Sequence, residues 1–120
     1  RVAHVTRSQY EWAQHVRIAQ AVGLSKADIA LIGVDGPVQG LDEEALLICQ
    51  VAEEISRDVR LSDAALQAAL TRYGVRQTTE LILCCAYFNM LSRILESTRV
   101  ELDADMDSLH ADTAQLMAGR

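Results

Sequence analysis

The longest stretch of helical pattern in this chain extends from about Gln77 to Thr98. Its centre, from Leu81 to Phe88, is densely apolar, so a helix formed here is hydrophobic on most of its sides. A helix that lies on a protein surface needs only one apolar stripe. The stretch therefore predicts a long helix that is either central in the fold or part of a subunit interface.

Further helices are expected upstream, because apolar residues recur there at helical spacing between capping residues and glycines. In chain order we predict a helix after Ser8 that ends before Gly23, a short helix capped by Ser25 and Asp28, a turn over residues 35–40, a helix from Asp42 to about Asp58, and a helix from Ser62 that ends at Gly74. The acidic segment from Asp105 to Arg120 is expected to be a short helix or a mobile end. The sequence thus predicts an all-α fold.

The composition favours one compact domain of closely packed helices. The chain has 120 residues, which is enough for one core and too few to argue for two. Half of the residues are hydrophobic but only 4% are aromatic, which suits packed helices better than a sandwich or a barrel. The chain opens at Arg1 without a methionine, and residues 1–5 are typical of the end of an apolar helix. We expect a single domain over residues 1–120, and this opening is compatible with a missing N-terminal helix.

Charge and apolar patterning argue against nucleic-acid and membrane partners. The chain has a net charge of −6, whereas nucleic-acid-binding proteins need clustered basic residues to displace counterions from phosphates. No apolar run is long enough to cross a bilayer, and no signal-peptide pattern is present. The three cysteines, Cys49, Cys84 and Cys85, lie in apolar runs, which fits buried thiols in a reducing compartment. We therefore expect a cytoplasmic protein.

Neither a metal nor a cofactor is expected. The histidines, His4, His15 and His110, lack the compact spacing of zinc ligands. The segment from Asp103 to Asp107 is similar to the start of a calcium-binding loop. However, Ser108 stands where that loop needs its turn glycine, and Ala114 stands where it needs a glutamate.

Glu11 and His15 are the pair with the strongest potential for chemistry. They are four residues apart on the first complete helix, so their side chains project from the same face. A carboxylate beside an imidazole fixes the ring's tautomer and favours its charged form, as proton transfer requires. Structural explanations compete with this hypothesis. Ser8 and Glu11 could form a capping box, and Glu/His pairs at this spacing are common on solvated helices.

Two groups of residues resemble the carboxymuconolactone decarboxylase family, which belongs to the alkylhydroperoxidase D-like superfamily. The first group is the string from Ser8 to His15, followed by Ile18-Ala19, Gly23-Leu24-Ser25 and Asp28-Ile29. The second is Glu80 with Tyr87-Phe88-Asn89-Met90-Leu91 and Arg93, then Val100-Glu101-Leu102-Asp103. The matches cover most of the chain, and residues 36–61 are the least diagnostic. The resemblance implies a compact multi-helix domain of this superfamily.

The peroxidases of this superfamily carry a Cys-x-x-Cys-x-x-x-His motif, and this chain has Ser8 and Glu11 at the two cysteine positions. Serine and glutamate cannot form the disulfide of that cycle, which needs an attacking thiolate and a resolving thiol. The adjacent Cys84 and Cys85 point about 100° apart on a helix, which disfavours a disulfide between them. We interpret both, and Cys49, as small hydrophobic core residues.

The decarboxylase branch retains a Glu-x-x-x-His arrangement, and the resemblance gives Glu11 and His15 those catalytic roles. His15 would donate the proton that follows loss of carbon dioxide, and Glu11 would orient it. The expected reaction is a cofactor-free decarboxylation or proton transfer on a small carboxylated acid or lactone. Candidate carboxylate-binding residues are Arg7, Arg17 and Arg93.

Two alternatives remain open at this point: a thiol peroxidase, and a noncatalytic helical module. The loss of the cysteine pair argues against the first, whereas only activity or ligand binding can test the second. The resemblance also implies a homo-oligomer, as a trimer or a hexamer, and the apolar helix from Gln77 to Thr98 provides a physical reason for association.

Overall fold

The structure is a computed structural model that describes residues 1–102. It has an all-α fold, and residues 1–102 contain no β-strand. The helices are α1 (Val2–Val5), α2 (Gln9–Ala21), α3 (Lys26–Ile32), α4 (Glu43–Asp58) and α5 (Asp63–Thr98). The predicted fold class is therefore confirmed. The calcium-like segment and the acidic segment from Asp105 onward lie outside the described residues.

Three helices begin at the capping residues that the sequence predicts. The Ser25 hydroxyl accepts a hydrogen bond from the Asp28 amide at 3.0 Å, and the Asp28 carboxylate accepts one from the Ser25 amide at 3.3 Å. Asp42 and Ser62 each accept a bond from the amide three residues later, at 2.8 and 3.2 Å. These bonds satisfy backbone donors that a helix N-terminus leaves unpaired. They fix where α3, α4 and α5 start.

The break predicted at Gly74 is confirmed as a kink within α5. Gly74 has φ 72° and ψ 176°, whereas its neighbours are helical. This conformation is accessible essentially to glycine alone. The kink divides α5 into a first arm, residues 63–73, and a second arm, residues 75–98. The second arm is the long apolar helix expected from the sequence.

The core lies where α1, α4 and both arms of α5 meet. Its buried residues are Val2, Val51, Ala52, Leu61, Ala65 and Cys85. The second arm buries only one side in this core, because Leu83 and Tyr87 on its other side are exposed. The apolar residues of the second arm therefore lie on two faces of the helix. One face packs in the core, and the other is exposed among the described residues.

Arg1 ties the loop after α3 to α4. Its guanidinium donates to the carbonyl oxygens of Ile32, Val34 and Gly36 at 2.6–2.8 Å and to the Glu53 carboxylate at 2.9 Å. The side chain is 2% exposed, so these acceptors replace water at both Nη atoms, whereas the buried Nε has no partner among the described residues. Within residues 1–102, no helix is long and apolar enough to span a membrane.

Candidate functional site

A cavity of about 340 Å³ lies beside α2 and contains both predicted site residues. Glu11, Trp12 and His15 line it from α2, and Phe88 lines it from the second arm of α5. Val16, Ile18 and Ala19 also line it from α2. The rest of its wall comes from α1, α3, α4 and the segments beside the helices: Arg1, Val2, Ala3, Val22, Leu24, Ile29, Ile32, Ile48, Cys49 and Ala52. The wall is thus almost entirely apolar, with a few polar groups, as small-molecule sites commonly are.

Two larger depressions lie along α4 and differ from this cavity in chemistry. Their volumes are about 550 and 640 Å³. Three glutamates line the first and one lines the second, and neither contains a histidine. Of these three, the cavity of about 340 Å³ combines an apolar wall with an imidazole, which can donate or accept a proton.

The His15 ring is held by contacts on two sides. Its Nδ1 lies 2.9 Å from the main-chain carbonyl oxygen of Glu11. Because a carbonyl oxygen can only accept, Nδ1 carries the proton in this bond and Nε2 is left to exchange a proton with a ligand. The ring also meets Phe88 edge to face, with centroids 4.8 Å apart and planes at 88°. These contacts fix both the orientation and the tautomer of the imidazole.

The Glu11 carboxylate lies in a buried chain of polar groups. The residue is 4% exposed, and its carboxylate Oε2 accepts a hydrogen bond from the Ser92 hydroxyl. Ser92 Oγ lies 2.9 Å from Thr6 Oγ1, which is also 2.9 Å from the Val2 carbonyl oxygen. Thr6 has one hydroxyl proton and serves one of these acceptors at a time. The chain connects α2 to the second arm of α5 and to the end of α1.

The interaction between Glu11 and His15 differs from the one that their spacing suggests. The spacing predicts contact between the two side chains, whereas His15 is held by the Glu11 main-chain carbonyl and the Glu11 carboxylate turns to Ser92. Any residue at position 11 offers that carbonyl. The tautomer of His15 therefore depends on the backbone of α2, and the carboxylate contributes to the wall of the cavity.

The capping-box interpretation of Ser8 and Glu11 is wrong. Ser8 is the N-cap residue of α2, but its side chain makes no capping hydrogen bond. Ser8 is fully buried, and its hydroxyl has no partner among the described residues. Glu11 is drawn away from the helix start by Ser92.

None of the three arginines that the sequence suggests for carboxylate binding lines the cavity. Arg7 borders a different depression near the end of α5. Arg93 donates through Nη1 to the Asn89 carbonyl and side-chain oxygens at 2.9 and 2.7 Å. Arg17 also lies outside the wall. Arg1 does line the cavity, but its guanidinium bonds to Glu53 and to carbonyl oxygens.

The three cysteines do not share one environment. Cys49 and Cys85 are buried, as expected for core residues, whereas Cys84 is exposed, and the prediction that it packs in the core is wrong. Burial raises the pKa of the Cys49 thiol. Burial, with a smaller contribution from Cys84, raises the pKa of Cys85 to about 11. Both buried thiols therefore stay protonated near neutral pH, which disfavours them as nucleophiles.

The described residues contain no cluster of three histidine, cysteine or acidic side chains that could hold a metal ion. His4 lies 3.2 Å from the Asp35 carboxylate and packs edge-on against Trp12, which lines the cavity, but His4 itself does not line it. His110 lies outside the described residues. His15 is thus the histidine of the site.

Sequence reasoning missed Ser92 and Thr6, which position the Glu11 carboxylate. Ser92 is 81 residues from Glu11 in the chain, and only the packing of α2 against the second arm of α5 brings them together. Phe88 belongs to the string that suggested the family resemblance, but its contact with His15 could not be inferred from spacing. The sequence around a serine in an apolar helix does not indicate which residue its hydroxyl will hydrogen-bond.

No family model, no curated protein and no solved structure matches this chain.

Proposed function

We propose that this chain is a carboxymuconolactone decarboxylase-like enzyme that performs cofactor-free decarboxylation or a related proton transfer at the His15 cavity. The observation that carries the proposal is the placement of His15, with its Nδ1 proton on a backbone carbonyl, in the wall of an apolar cavity of about 340 Å³. The resemblance over Ser8 to His15 supports the same chemistry.

The reaction needs one group that delivers a proton to carbon. As the carbon–carbon bond to the carboxylate breaks, carbon dioxide leaves and the electron pair moves into a conjugated carbonyl of the substrate. Protonated His15 then gives its Nε2 proton to carbon and returns to the neutral Nδ1–H form, which the Glu11 carbonyl already accepts. The apolar wall favours the step, because it shields from water the side of the substrate carboxylate that faces it, and a less hydrated carboxylate is lost more easily as carbon dioxide.

The wall also indicates the kind of substrate. Arg1 is the one arginine of the cavity, and its guanidinium is bonded to acceptors within the protein. Among the described residues of the wall, His15 is then the side chain left that can carry a positive charge toward a substrate oxygen. We therefore propose a small, mainly apolar lactone or keto acid with a single carboxylate. A substrate with two carboxylates would leave one charge without a partner in an apolar cavity.

The proposal includes a homo-oligomeric enzyme, as a trimer or a hexamer, that works in the cytoplasm on a soluble small molecule. Family resemblance supports the assembly. The exposed apolar residues on α5 supply an independent physical reason for association.

The proposal is tested by carbon dioxide release from a panel of lactone acids and β-keto acids. We expect His15→Ala to lower kcat by about 10²–10⁴-fold on any member that the wild type accepts, because the proton donor is lost. His4→Ala is the matched control and should lower the rate far less than His15→Ala, because His4 contacts the wall residue Trp12 but does not itself line the cavity. Glu11→Gln should retain a large part of the rate, because the main-chain carbonyl that holds His15 stays in place.

A rate that survives His15→Ala would contradict the proposal. Hydroperoxide consumption with a dithiol, measured on the same samples, detects the thiol alternative: loss of that activity in Cys84→Ser would favour a peroxidase. A folded wild type that is inactive in both assays, and binds no member of the panel, would favour the noncatalytic module.

A further inference from the structure

The second arm of α5 carries four apolar side chains that the rest of residues 1–102 leaves exposed. They are Leu83, Tyr87, Met90 and Ile94, and they are 49–62% exposed. Their spacing of four, three and four residues places them on one face of the helix, within about 60° of one another. We call this set the α5 stripe. Its spacing is that of a seam between two paired helices.

We propose that the α5 stripe is the surface through which two copies of this chain pair, with their second arms antiparallel. A two-fold axis between Tyr87 and Met90 brings Leu83 of one copy opposite Ile94 of the other, and Tyr87 opposite Met90. The same patch is then used by both partners, as a two-fold contact requires. The stripe is complementary to itself in this direction, since each pair joins two different apolar side chains.

Charge favours the antiparallel direction. Arg76 and Glu80 continue the stripe at its N-terminal end, are both exposed, and are joined by an ion pair of 3.0 Å. Antiparallel pairing carries Arg76 toward Glu101, which is exposed just beyond the end of α5 in the other copy. Parallel pairing would place Arg76 beside Arg76 and Glu80 beside Glu80. Like charges at the edge of a helix pair oppose it.

The stripe is in contact with the cavity through one aromatic pair. The Tyr87 and Phe88 rings pack edge to face with centroids 5.3 Å apart, and the Phe88 and His15 rings do so with centroids 4.8 Å apart. Pairing would bury Tyr87 and so limit the positions open to Phe88. The pairing itself does not depend on the proposed reaction, and its test needs no substrate.

The inference also restricts the assembly. Of the two assemblies in the proposed function, this contact fits the hexamer, in which it joins two trimers, whereas the contact by itself produces a dimer. It is incompatible with an isolated trimer, because three copies cannot all be related in pairs by two-fold axes.

Disulfide cross-linking tests the direction of pairing. Leu83→Cys and Ile94→Cys are made separately in Cys84→Ser, which removes the exposed thiol. When the two variants are mixed and oxidised, we expect a disulfide-linked dimer. Either variant alone should stay unlinked, because residues 83 and 94 are about 16 Å apart along the helix and an antiparallel partner carries its cysteine at that distance. Cross-linking of Leu83→Cys alone, or no cross-linking of the mixture, would overturn the proposal.

Light scattering on wild type and on Leu83→Glu tests the surface without cysteines. At micromolar concentration we expect the wild type at two or six times the mass of one 13.2 kDa chain. Leu83→Glu should reduce that mass, to one chain from a dimer or to three from a hexamer, with its helix content retained by circular dichroism. Val59→Glu, at an exposed apolar residue outside the stripe, is the control and should leave the mass unchanged. A monomeric or trimeric wild type, or a Leu83→Glu variant that assembles as the wild type does, would contradict the proposal.

Discussion

At the residue scale, the buried Glu11 carboxylate is stabilised by a hydrogen bond from one side chain, Ser92. It is 4% exposed, accepts its hydrogen bond from Ser92, and has no ion pair with any cation among residues 1–102. Removing a donor from a buried acceptor costs more than the bond itself is worth, because the acceptor was desolvated when the protein folded. Ser92 is itself 1% exposed, so water cannot replace its hydroxyl without rearrangement.

Ser92→Ala is therefore expected to lower the free energy of unfolding by about 1–3 kcal/mol. Urea denaturation followed by circular dichroism measures the change. Ser97→Ala is the matched control, because Ser97 is exposed on the same helix, and it should change stability by less than about 0.5 kcal/mol. Equal and small effects of the two substitutions would mean that Ser92 does not hold the Glu11 carboxylate.

At the scale of elements, α5 is two helices that share a kink at one glycine. The left-handed φ of 72° at Gly74 is combined with an extended ψ of 176°, and side-chain-bearing residues avoid that combination. A Cβ added at Gly74 would meet no atom within 4 Å, so a substitution there strains the backbone without a steric clash. The kink turns the second arm so that Cys85 enters the core and Phe88 reaches His15.

Gly74→Ala is expected to lower the free energy of unfolding by about 1–3 kcal/mol, since the new side chain disfavours the backbone conformation of the kink. Thermal and urea unfolding measure it, with Gln77→Ala at an exposed site of the second arm as the control. A Gly74→Ala protein as stable as the wild type would indicate that α5 tolerates a straight path through residue 74.

The elements also mark where sequence reasoning succeeds. Local signals predict the starts of α3, α4 and α5 and the break at Gly74, because a cap or a glycine conformation depends on neighbours within a few residues. The same reasoning failed at Ser8 and Glu11. A capping box is favourable locally, but the Ser92 hydroxyl of a distant helix competes for the Glu11 carboxylate. Pairings of this kind depend on tertiary packing.

At the scale of the whole molecule, an open apolar cavity lies against an all-α core, while part of the longest helix is exposed. The sequence singles out Glu11 and His15 for chemistry, and both lie in the cavity wall. It does not predict that a main-chain carbonyl holds His15, or that α1, α3 and α4 supply much of the wall, because those contacts are set by how the helices assemble. The exposed α5 stripe follows from the dense apolar run of α5, which one core cannot cover.

The state of the His15 ring is the central claim, since the proposed reaction needs a proton held at Nδ1 and exchanged at Nε2. Nitrogen-15 NMR of protein labelled at histidine, followed with and without the lactone and keto acids of the panel, measures it directly. We expect neutral His15 to be the Nδ1–H tautomer. A bound acid should protonate Nε2 of His15 and shift its nitrogen-15 resonance, while the resonances of His4 stay unchanged. An Nε2–H tautomer at His15, or a ring that responds to no member of the panel, would contradict the account.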